Sequence, residues 1–173
     1  MTRAQRVLHD VAISSAAGLV ATKPMEVVTT KIQRVQSEEA TIREQQASPG
    51  LASEVAARKA AQRAGVHLDE RQVQRAGQVL HYSLAMAWGP LYPVLRRRLG
   101  LSPLSAGLGT GLAMFLIADE GFNSLSGTSA PPRAYPLVTH VRGLAGHVVF
   151  GLVLAAVTEA AWRLTGACRE RPL

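Results

Sequence analysis

Long stretches without a formal charge alternate with charged ones along this chain. Ala76 to Leu95 holds 20 residues with no Asp, Glu, Lys or Arg, and Leu99 to Ala118 is a second run of 20. Each is long enough to cross a hydrocarbon core of about 30 Å at ~1.5 Å per helical residue. A third run, Gly143 to Thr158, extends back through Arg142 to Tyr135 and forward to Trp162, which predicts a span over about 136–162. The weakest candidate covers 7–28, because only Val11 to Thr22 is free of charge. With three spans elsewhere, a fourth membrane helix closing a bundle is expected here rather than a buried helix of a soluble domain. The pattern thus predicts an all-α fold, an integral membrane four-helix bundle in one domain over 1–173, with spans near 7–28, 76–95, 99–118 and 136–162.

Between the first two spans lies a polar segment, about 31–75, rich in Ala, Gln, Glu and Arg and punctuated by Pro49 and Gly50. It predicts helical pieces outside the bilayer. The opening helix is expected to kink at Pro24 and to run on through Gln46. A second piece should cover Leu51 to Ala64 with Gly65 as its stop, and a third begins after His67–Glu70 and leads straight into the second span. The stretch Asp119–Pro136 has the Gly, Ser, Asn and Pro content of a structured loop.

Composition refines the picture without changing it. The chain is 47% hydrophobic but only 5% aromatic, and it carries a formal charge of +7. That charge does not form a nucleic-acid surface, because Arg96, Arg97 and Arg98 sit in the tight connection between two apolar runs, where basic residues mark the cytoplasmic side. Both termini then lie inside, in keeping with Arg3, Arg6, Arg163, Arg169 and Arg171, and the 31–75 segment lies outside despite its own Lys and Arg content. The N-terminal segment lacks the apolar core and cleavage site of a signal peptide. One cysteine, Cys168, excludes an intrachain disulfide or a multi-cysteine metal site and reads as a plain tail residue.

Small residues recur four apart: Ser14, Gly18 and Thr22; Ala85 and Gly89; Gly107 and Gly111; and Gly143 and Gly151 with His147 between them. Such spacing lets helices approach closely in lipid, where dispersion contacts replace the hydrophobic drive. Placed by depth, Lys23, Glu26, His81, Asp119, Glu120, His140, Arg142 and His147 converge on the outer end of the bundle. Lys23 and Glu26 are three apart and able to pair. Histidines and carboxylates sharing one depth could change charge with external pH and shift helix packing.

His140 and His147 cannot share one metal ion, being about 10.5 Å apart along a helix axis. Either could join His81 in a haem or metal site, which stands below a packing role. No nucleophile elbow, phosphate loop or His-Glu-x-x-His helix is present, so no enzyme activity and no cofactor are expected. The competing class is an accessory subunit docking its Gly and Ala faces on a larger membrane complex.

Pro24, Glu26, Lys31 and Gln33 follow part of the mitochondrial-carrier signature, but Thr29 takes a basic position and no second copy follows. A broader likeness runs through Lys23 and Glu26, then His81, Gly89 and Tyr92, a Gly-rich third span, Gly127 and Pro131, and Gly146 with His147. In that order the chain resembles the YagU-like family of small bacterial inner-membrane proteins. It differs in lacking acidic residues just before Gly146 and in its longer 31–75 segment. The resemblance implies a multi-pass inner-membrane protein with four spans and no assigned reaction, whose partners are the lipid bilayer and a second copy or a larger complex.

Overall fold

The computed structural model describes residues 1–48 and 50–166; Pro49 and the tail with Cys168, Arg169 and Arg171 lie outside the described residues. The described chain is all-helical: α1 Arg3–Arg34, α2 Glu38–Ala47, α3 Ala52–Arg63, α4 Glu70–Trp88, α5 Leu91–Pro93, α6 Pro103–Met114, α7 Asn123–Leu125 and α8 Leu137–Leu164. Two π-helical stretches, Val94–Arg98 and Phe115–Phe122, continue α5 and α6, and a 3₁₀ turn spans Pro132–Ala134.

The ends of these helices are written locally. Thr2 and Gln5 form a reciprocal capping box at the start of α1, and Asp69 and Gln72 form another at α4. Ser102 caps α6, with Pro103 in its first turn. Gly65, at φ +70°, takes the left-handed position just past α3, a conformation that a side chain would strain.

Two expectations are corrected. The opening helix does not reach Gln46: α1 runs through Pro24 and ends at Arg34, and a new helix starts at Glu38. Ser37 makes the break, its hydroxyl accepting the Ala40 amide at 3.3 Å while Glu38 and Glu39 favour the start of a helix. Nor is Asp119–Pro136 a loop from its first residue, since helical geometry persists to Leu125. Gly121 and Asn123 are poor helix formers, but the end is held from beyond: the Asn123 carbonyl accepts the amides of Thr128 at 2.9 Å and Ser129 at 3.1 Å and both the Ser126 and Thr128 hydroxyls.

The long helices pack side by side in the order α4, α1, α8, α6, with α1–α8 the most extensive contact. The hairpin from α4 to α6 passes through α5 and the Val94–Arg98 turn, and α3 lies against α4. Neighbours are antiparallel: Gly18 faces Ala85 and Ser14 faces Gly89 between α1 and α4, while Gly107 and Gly111 face Gly151 and His147 between α6 and α8. A Cβ on any of these glycines would run into the facing backbone, so only glycine permits the observed separation. Gly143 instead meets the ring of Phe115, 3.0 Å from where its Cβ would stand.

The interior holds Ser14, Thr22, Thr110, Thr158 and His147 among alanines and the larger Tyr92, Phe150, Leu154 and Trp162, while Leu19 and Val20 on α1, Val79 and Leu84 on α4, Leu104 and Leu112 on α6, and Val141 and Leu144 on α8 are exposed. The Thr22 and Thr110 hydroxyls donate to carbonyls four residues back, at 3.0 and 2.9 Å, and so need no water. Arg3–Arg34 and Leu137–Leu164 are single helices long and apolar enough to cross a membrane. The expected spans at 76–95 and 99–118 are composite, because Gly89 and Pro90 end α4 and the π-helical turn takes over from α6 at Met114.

Candidate functional site

Titratable side chains gather at both ends of the bundle. At the end that α1 leaves, Lys23 Nζ donates to Glu26 at 2.8 Å, and the Tyr82 hydroxyl reaches the other Glu26 oxygen at 3.1 Å. His81 Nε2 stands 3.8 Å from that same oxygen, so Glu26 links α1 to α4. Across the bundle, His140 Nδ1 is 2.7 Å from Glu120 and its Nε2 is 3.0 Å from the Pro132 carbonyl. His147, fully buried, places Nδ1 2.8 Å from the Gly143 carbonyl and 3.7 Å from Asp119. The eight residues expected to converge thus share an end, with Lys23, Glu26 and His81 in contact on the α1–α4 side, Asp119, Glu120, His140 and His147 on the α6–α8 side, and His81 within electrostatic reach of Asp119. Arg142 belongs to neither, since it pairs with Glu44. Among the described residues, no group of three or more His, Cys, Asp or Glu is placed to hold a metal ion.

Glu44 and the roof over this end were not singled out from the sequence. Arg142 grips both Glu44 oxygens, Gln36 donates to Glu44 at 3.0 Å, and Thr139 donates at 3.3 Å. Arg43 donates to the carbonyls of Arg133 and Ala134, each at 3.2 Å, and Lys59 donates to the Gly127 carbonyl at 2.6 Å. With no fully buried residue in α2 or α3, these polar bonds add to the packing of α3 on α4, where Gly77 admits the Glu54 backbone. Beneath it lies a chamber of about 230 Å³ between the α2–α3 connection, the turns after α6, the 129–135 segment and α8.

Burial alone would raise the Glu44 carboxyl, but the hydrogen bonds from Arg142, Gln36 and Thr139 and the Arg142 charge outweigh it and hold the group below its usual 4.5. A carboxyl depressed by folding stabilises above its unfolded value and loses that contribution as pH falls through the folded one. Hydrogen exchange at the α2 amides, corrected for the intrinsic rate, should therefore be steady from neutral pH to about 4.5 and accelerate below it. In Glu44→Gln it should be fast throughout. Protection unchanged down to pH ~3 would show that the latch carries no such contribution.

The other end holds a second constellation that the spacing of charges did not reveal. Arg96 and Arg97, expected as topology markers, are both paired. Arg96 Nε donates to the buried Glu159 of α8 at 2.9 Å, and the fully buried Tyr92 hydroxyl donates to the same oxygen at 2.9 Å. Arg97 stands 3.4 Å from Asp10 of α1 and lies 3.9 Å above the Trp162 ring. The signal was present: Asp10 and Glu159 are acidic residues inside the two helices long and apolar enough to cross a membrane, where an unpaired carboxylate is costly and a basic partner is required.

Compared with known protein families, with curated proteins and with solved structures, the chain matches none.

Proposed function

We propose that the chain is a multi-pass four-helix protein of the bacterial inner membrane, with the Arg96 end in the cytoplasm, whose outer end makes helix packing responsive to external pH. The membrane assignment is supported by exposed Leu and Val on all four long helices and by the buried hydroxyls and glycines where those helices meet. The pH response is carried by one observation: three histidine–carboxylate pairs, Glu26–His81, Glu120–His140 and Asp119–His147, each join two different helical segments.

Imidazole changes charge between about pH 5 and 8. When neutral, it offers each carboxylate at most a hydrogen bond; when protonated, it makes an ion pair that draws α1 to α4 and the end of α6 to α8. His140 and Glu120 carry most of this, since they are already in hydrogen-bond contact and three-quarters shielded from solvent. Glu26 and His81 are more than a third exposed and add less.

The full chain in nanodiscs should therefore melt higher at pH ~5.5 than at pH ~8, and replacing His81, His140 and His147 together by Gln should flatten that difference. An equal dependence in the triple variant would end the proposal. A second reading, an accessory subunit, is favoured by α4, whose outward face mixes the polar and small Gln78, Ser83 and Ala87 with Val79 and Leu84. It requires a stoichiometric partner after mild-detergent purification.

A further inference from the structure

The chamber beneath α2 and α3 is a half-open cleft, and its walls differ in chemistry. Its volume of about 230 Å³ corresponds to several waters at ~30 Å³ each, room for a small organic molecule but below the size of a drug-sized site. Asp119 and Glu120 line one wall; Phe115, Tyr135, Leu51 and Ala52 bring apolar surface to the others. Arg142 also lines it, but its guanidinium is taken up by Glu44 and Gln36. Lys59 is directed to the Ser126 and Gly127 carbonyls. With Arg142 and Lys59 engaged, the groups left facing the chamber are the Asp119 and Glu120 carboxyls, the first pushed up by burial against the opposing pull of His147.

We infer that this chamber binds a small primary alkylamine, with its ammonium between Asp119 and Glu120 and its alkyl stem along Phe115 and the Leu51–Ala52 wall. An ammonium brings three hydrogen-bond donors and a positive charge to acceptors that already hold one partner each, His147 near Asp119 and His140 on Glu120. It does not demand the close convergence of three ligands that a metal ion would, and the Phe115 and Tyr135 rings favour a cation nearby. An anion would meet two carboxylates and an occupied arginine.

The inference rests on reading the His140 end as the working end, though not on its pH response. It does add a consequence. His140 is faced by Glu120, by the Pro132 carbonyl and by the Tyr135 ring, and it shares the chamber with Asp119 and the Arg142–Glu44 pair. A proton on His140 neutralises Glu120 from within and weakens the hold on the amine.

Calorimetric titration of the full chain in nanodiscs with n-butylammonium chloride tests this, with n-butanol and sodium butyrate as shape-matched controls. At pH ~7.5 only the ammonium should bind saturably, and Asp119→Asn with Glu120→Gln should weaken it by at least ~10-fold, the loss expected for a charge-assisted contact. Because those two changes also touch the histidine pairs, Ala52→Trp is the second arm: it fills the chamber from the roof, leaves both carboxylates in place, and should abolish binding. At pH ~5.5 affinity should fall several-fold. Saturable binding of butanol with equal affinity, binding unaffected by Ala52→Trp, or no saturable heat from butylammonium would each overturn the inference. Melting of the ligand-free protein against pH reports the pH reading separately, so either can fail alone.

Discussion

Alanine at Gly111 is expected to destabilise the fold by about 1–3 kcal/mol, while alanine at Gly109, two residues away on the same helix, leaves it unchanged or slightly more stable. The contrast follows from what each new methyl would meet. At Gly111 it would land on the backbone carbonyl of His147, and neither helix can yield without parting from the other. At Gly109 its nearest neighbour is one terminal methyl of Leu95, at 3.2 Å, which a small rotation can withdraw. There the usual gain of alanine over glycine in a helix, up to ~1 kcal/mol, is largely kept. Gly151 is still more constrained, since its Cβ would face the Gly107 carbonyl from the opposite helix. Gly151→Leu is expected to lose the monodisperse species altogether. Reversible unfolding of the variants in mixed micelles checks the series, and a Gly111→Ala protein as stable as Gly109→Ala would mean that the α6–α8 separation is not set by these glycines.

That series shows how the sequence carries its packing. Spacing alone placed Gly107 and Gly111 on one stripe and Gly143 and Gly151 on another, because i, i+4 periodicity is a property of one helix. It could not state that the stripes of α6 and α8 meet each other while those of α1 and α4 form a separate interface, which depends on the order of packing. Helix starts at Thr2, Asp69 and Ser102 were written in capping residues. The break at Ser37 was written the same way, followed by Glu38 and Glu39, and was obscured by the strong helix propensity on either side. The helical turns to Leu125 had no local signature, since they depend on bonds to Asn123 from residues downstream.

The site was legible to the same depth. The histidines and carboxylates at the His140 end share a level because helices of similar length run antiparallel beside one another, so periodicity and direction brought them together. Their pairing depends on rotation about each helix axis, which periodicity leaves open. Glu44 was missed because it lies in a polar segment where one glutamate among several carries no distinguishing mark. Asp10 and Glu159 had such a mark, an acid within an apolar helix, and reading it would have turned Arg96 and Arg97 from topology markers into partners.

The largest single effect expected at the Arg96 end of the bundle is that of removing Glu159. Glu159→Ala leaves the fully buried Tyr92 hydroxyl and the Arg96 guanidinium without their acceptor. Breaking a fully buried pair costs about 3–5 kcal/mol; with Arg96 a third exposed, about 2–4 kcal/mol is the better expectation. Glu159→Gln keeps an oxygen for Tyr92 and should cost roughly half as much, in line with ~1–1.5 kcal/mol for a hydrogen bond retained. The decisive quantity is coupling, because a lost side chain also leaves a cavity. If Glu159 acts through Arg96, then Arg96→Met in the Glu159→Met background should cost less than Arg96→Met alone, with about 1–3 kcal/mol of interaction energy in the double-mutant cycle. Additive effects would reduce Glu159 to a space-filling residue and return Arg96 to the solvent-facing role that the positive charge of this loop first suggested. Strong coupling would instead mean that Arg96, like Arg97 beside Asp10, is held by an acid of a neighbouring helix, leaving Arg98, among the described residues, as the arginine of this turn outside those two pairs. Arg98→Gln should then disturb membrane orientation more than Arg96→Gln does, which reporter fusions on each side of the bilayer can read directly.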